Sequence, residues 1–151
     1  MGQKDFTITF LTGKSPEHVY NAINKVPEWW CEVFEGDSAK LNKEFSVTFN
    51  DLHYSKHKLV ELVPNKTIVW LVTDSNLSFL KNKTEWNGTK NRFDISTENG
   101  KTIVLFTHEG LTPEIECFNA CSGGWNRFIN QSLVPFIESG NANPHKKGAE
   151  L

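Results

Sequence analysis

From Val33 to Glu109 apolar residues recur at every second position, turn residues return at short intervals, and no stretch of helical period intervenes. Such a chain is bound to an antiparallel meander, because parallel neighbours would need crossovers of about a dozen residues or more between strands. Val33 to Glu35 reads as a short strand. Phe45, Val47 and Phe49 alternate with Ser46 and Thr48, and His53 to Val63 sets Ser55, His57 and Leu59 against Lys56 and Lys58. Thr67 to Thr73, TIVWLVT, is apolar on both faces and predicts a central strand. Asp74 to Glu85 is irregular; Trp86 to Thr97 and Lys101 to Glu109 then flank Glu98-Asn99-Gly100, and Asn-Gly between two alternating runs marks a hairpin.

Before the meander, Phe6, Ile8 and Phe10 share one face of a first strand. Ser15 and Pro16 then start a helix as N-cap and first residue, and Pro27 ends it and opens a second short helix carrying Trp29 and Trp30. After the meander, Pro113 to Ser139 repeats Phe118, Cys121, Trp125, Ile129, Ser132 and Phe136 at helical spacing, an amphipathic helix of about seven turns. Gly123 and Gly124 each cost such a helix about 1 kcal/mol relative to Ala, which predicts a bend or a close approach by another backbone. Residues 140–151 are polar and predict a flexible tail.

The 151 residues suit one domain over 1–139. Its apolar volume is concentrated in rings, 11 Phe and 5 Trp, and stiff rings line a space without collapsing into it. A net charge of -2 with dispersed Lys and Arg argues against nucleic acid, and no run is long enough to span a membrane. The first residues lack the build of a signal peptide, so the expected location is cytoplasmic. Cys31, Cys117 and Cys121 are expected to be reduced.

SPEHVYNAI with the following WW, VELVPNKTIVWLV, FDISTENGKTIVLFTHEGL and WNRFINQSL resemble segments of the START-like (SRPBCC) superfamily, in particular its activator of Hsp90 ATPase homologue branch. The resemblance covers roughly Asp5 to Ile137. It implies an α+β helix-grip (START/Bet v 1-like) fold: a curved antiparallel sheet of about six or seven strands wrapped on a long C-terminal helix, with two short helices after the first strand. It also implies a cavity between sheet and helix that takes a small apolar or amphipathic molecule.

Alternation places Phe45, Val47, Phe49, Ser55, His57, Leu59, Val69, Leu71, Val104, Phe106 and His108 on the cavity side of the strands, with Phe118, Cys121, Trp125 and Ile129 in the roof and Trp30, Phe79 and Trp86 at the rim. His57 and His108 are the polar groups that would orient a ligand. No nucleophile elbow or phosphate loop is present. His53 and His57 lack a third ligand at metal spacing, so no metal, cofactor or catalytic residue is assigned. The primary expectation is a binding protein. Two alternatives stay open: a cyclase- or hydrolase-like enzyme using His57 with His108 or Glu109, and a module that docks a chaperone or a second copy of itself through an outer face around Ile68, Trp70 and Val72.

Overall fold

The computed structural model describes residues 4–149. Strand β1 (Phe6–Thr12) is followed by helices α1 (Pro16–Ile23) and α2 (Val26–Trp29). Then come β2 (Phe34–Gly36), β3 (Glu44–Phe49), β4 (His53–Val63), β5 (Thr67–Leu77), β6 (Lys90–Glu98) and β7 (Lys101–Glu109). The seven strands form one antiparallel sheet in the order β1-β7-β6-β5-β4-β3-β2. Ser15 caps α1 by accepting the His18 amide at 3.1 Å, and Asn99 and Gly100, both at positive φ, make the β6–β7 turn. The register between β4 and β5 shifts twice, at Lys56/His57 and Leu59/Glu61, irregularities of the kind that bend and twist a strand.

Cross-strand pairing decides which face each residue takes. Ile68 pairs with Phe93 and Trp70 with Asn91, and these side chains are buried on the concave face. Val69 pairs with Arg92 and Leu71 with Lys90, and Arg92 is ion-paired with Glu61, Asp94 and Glu109 on the opposite, outer face. The expected phase of β5 is therefore inverted. Val69 and Leu71 lie outside, while Ile68, Trp70 and Val72 belong to the core and form no outer patch for a partner. A strand apolar on both faces carries no internal phase, and only its charged neighbours on β6 supply one.

The C-terminal helix begins at Phe118, five residues later than its apolar pattern predicts. Glu85 accepts the Glu116 and Cys117 amides, and the Glu116 carboxylate accepts those of Lys81 and Asn82, so the β5–β6 connection and the helix start hold each other. Helix α3 (Phe118–Phe128) runs into a π-helical turn at Ile129–Leu133 and then α4 (Val134–Ser139). Pro135 lacks an amide hydrogen and its ring crowds the preceding turn, so the widened turn sits just ahead of it. The irregularity is therefore at the proline, and Gly123 and Gly124 lie within regular α-helix.

Residues 140–149 are not a loose tail. Asn143 donates its amide to Ser132 Oγ, His145 exchanges backbone bonds with Trp30 and Glu32, and the Asn50 side chain meets Gly148 and Ala149. Ser132 Oγ, wholly buried, also donates to the Trp29 carbonyl, so one hydroxyl joins the helix, α2 and the returning segment. Replacing Ser132 by Ala is expected to cost about 1–3 kcal/mol, the usual penalty for stranding buried partners. Hydrogen exchange should find the Asn143 amide unprotected in that variant; unchanged protection would mean the segment is held elsewhere.

Candidate functional site

All five tryptophans meet in one stack. Trp29 lies 6.4 Å from Trp70, Trp70 5.7 Å from Trp30, Trp30 4.9 Å from Trp125 and Trp125 6.0 Å from Trp86, each pair nearly parallel. Phe45, Phe93 and Phe106 abut this stack from the sheet at 5.1, 5.2 and 4.6 Å. The space between sheet and helix is thus filled along most of its length. What stays open is a cleft of about 750 Å³ at the end where α3, the tips of β3 and β4, the β5–β6 connection and the returning C-terminal segment come together.

Trp30, Phe49, Phe79, Trp86, Cys121 and Trp125 line this cleft. Phe45, Val47, Ser55, His57, Leu59, Val104, Phe106, His108 and Ile129 are buried in the packed core and form none of its wall. Phe118 packs edge-on to Phe6 at 6.3 Å, away from the cleft, and Val69 and Leu71 are on the outer face. Outside β5, strand alternation selects inward residues, but it is blind to how far large rings on the facing helices fill the interior. Leu52, His53, Gly124, Arg127, Phe128 and residues 143–146 also line the cleft. Gly124 carried a sequence signal: a Cβ built there or at Gly123 meets nothing within 4 Å, so these glycines leave open space rather than admit another backbone.

The histidines divide by their hydrogen bonds. Trp125 donates Nε1–H to His108 Nδ1 at 3.0 Å, which leaves His108 Nε2 to donate to Thr89 Oγ1 at 2.9 Å, and Thr89 passes its hydrogen to the Trp86 carbonyl. A protonated His108 would face the indole N–H with a second donor. Burial, and secondarily the charge on His53, pushes its pKa down to about 3. Ser55 Oγ bridges the Nε2 atoms of His53 and His57 at 2.8 Å each, and His57 stacks on Phe45 at 4.9 Å. Burial lowers the His57 pKa well below its usual value, helped by His53 and His108, and burial also brings His53 to about 3. The rings that a cyclase- or hydrolase-like reading needs, His57 and His108, are wired into the core as neutral groups, while His53 reaches the cleft wall.

Cys117 and Cys121 stand one helical turn apart, with Cα atoms separated by 5.5 Å. The spacing of four residues brings the two sulfurs to the same side of consecutive turns. Cys31 remains a buried thiol, with its pKa raised to about 11 chiefly by burial. Among the described residues no cluster has the makings of a metal site, and no helix is long and apolar enough to cross a membrane.

No protein-family model matches the sequence, and no curated protein matches it. Solved structures do resemble the fold. The solution structure of the Aha1 dimer from Colwellia psychrerythraea aligns with a TM-score of 0.74 at 23% identity, over 92% of this chain and 99% of that one. Mll3558 from Rhizobium loti aligns with a TM-score of 0.68 at 12% identity, over 89% and 96% of the two chains. CalU16 from Micromonospora echinospora gives 0.66 at 14% identity, over 94% and 83%. At these identities the likeness is one of fold.

Proposed function

We propose that this chain, which has the START-like helix-grip fold, is a binding protein for a small apolar or amphipathic molecule held in the cleft at the open end of its aromatic core. The observation that carries this reading is the cleft itself. Its volume of about 750 Å³ falls within the range of about 300–1,000 Å³ common for ligand sites. Its wall combines the rings of Trp30, Phe49, Trp86 and Trp125 with a few polar groups. Two ring nitrogens of lining residues, Trp86 Nε1 and His145 Nε2, are buried without a protein partner.

Gly124 gives the decisive test, because stability and binding are expected to move in opposite directions. A side chain at Gly124 meets open space and raises helix propensity, so Gly124→Leu should leave the fold as stable or up to about 1 kcal/mol more stable. The same side chain fills the cleft. Thermal-shift stabilisation by apolar probes such as decanol, expected for the native protein, should be abolished in the variant. Equal stabilisation of both proteins would place binding elsewhere, and stabilisation of neither would remove the binding reading.

A further inference from the structure

The cleft keeps its charge at one end. Arg127 and Lys146 line it, and no Asp or Glu does. Arg127 Nη1 donates to the Asn143 carbonyl at 3.0 Å, and its guanidinium lies 4.3 Å over the Phe128 ring, so the head group is held beside the returning segment. His145, on that same segment, packs against Phe49 at 5.1 Å, and Phe49 in turn lies 5.5 Å from Phe128. These contacts gather Arg127, His145 and Lys146 at the C-terminal-segment end. Among the described residues, neither Arg127 nor Lys146 forms an ion pair with a carboxylate. Burial works against the Arg127 charge, and an anion brought alongside would offset that cost.

The other end is apolar. Trp86 stacks on Trp125, and Phe79, 46% exposed, stands at the rim with Cys121. A molecule that satisfies both ends has a negatively charged head and an apolar body. We propose that the ligand class of this cleft is an amphipathic acid, its anionic head held at Arg127, His145 and Lys146 and its apolar body laid along Trp125 and Trp86 toward Phe79. This assignment rests on the cleft being a binding site. It gives the segment that carries His145 and Lys146 a second task, that of supplying half the head-group site.

Three probes of equal chain length separate the two claims: decanoate, decanol and decylamine, each titrated against the intrinsic fluorescence of the cleft tryptophans. Decanoate is expected to bind about tenfold tighter than decanol, the ratio that one well-placed charge contact gives, and decylamine weakest of the three. In Lys146→Gln, which alters an exposed side chain, and in Arg127→Gln, decanoate should weaken toward decanol while decanol is unchanged; Arg127→Lys should retain much of the preference. Circular dichroism and protection of the Asn143 amide report whether the Arg127 variants keep the segment in place. Equal affinity of the native protein for decanoate and decanol, or tighter binding of decylamine, overturns the acid assignment and leaves the cleft as an apolar site. Binding of none of the three overturns both.

Discussion

Between pH 6.5 and about pH 4 the folded chain is expected to lose about 3 kcal/mol of stability through wholly buried His108, and His57, whose pKa burial depresses in the same direction, adds to the loss. The folded-state pKa of each is depressed below the unfolded value, so the neutral forms are native and the unfolded chain binds more protons. Stability from these groups is complete above pH 6.5 and drains away as pH falls toward the folded values, at about 1.4 kcal/mol per pH unit for each histidine. His53 acts in the same direction, but it lies half-buried at the cleft wall and its share is smaller. Against a total of about 5–15 kcal/mol for an ordinary domain, a loss of this size is a substantial share of the stability by about pH 4. Denaturant titrations across pH measure the slope. Gln at position 108 presents one acceptor and one donor as the neutral imidazole does, so His108→Gln should cost little at pH 7.5 yet reduce the slope by about 1.4 kcal/mol per pH unit. An unchanged slope would show that His108 titrates alike in both states.

Removal of the Trp30 ring is expected to cost about 3–5 kcal/mol. Trp30 is stacked against Trp29, Trp70 and Trp125 and also touches Phe49 and His57, at ring separations of 4.9 to 6.2 Å, with only 3% of its surface exposed. For a domain of this size that loss corresponds to roughly 10 °C in Tm. Because Trp30 also lines the cleft, Trp30→Ala should open it inward toward Trp70, and the enlarged space should accept small aromatic probes such as indole. Recovery of most of the lost Tm by millimolar indole is the expected result. A small loss without rescue would mean that the stack collapses into the gap.

The two largest predictions rest on features that differ in how plainly they can be read along the chain. The strands β4 and β7, the Asn99-Gly100 turn and the Ser15–Pro16 helix start follow from local rules, because period-two patterning and turn chemistry act over a few residues. The inward setting of His57 and His108 was legible in the same way. The orientation of β5 was not. TIVWLVT has apolar residues on both faces, and its phase came from the pairing of Val69 with Arg92, a residue more than twenty positions away.

Tertiary structure alone also decided how much of the helix grip is open. Sequence can count five tryptophans, but whether they line a void or stack into one another depends on where α2 and α3 carry Trp29, Trp30 and Trp125 relative to Trp70. The polar segment 140–149 has the composition of a loose end, yet it is tied down by Ser132, Arg127 and the Trp30 backbone, partners it meets only after the helix has crossed the sheet. The sequence by itself determined the meander, the closing helix and, outside β5, which residues turn inward, since those follow from short-range periodicity. The structure decided the phase of the central strand, the filling of the interior and the site of the remaining cleft, because each depends on ring volumes and hydrogen-bond partners brought together from distant parts of the chain.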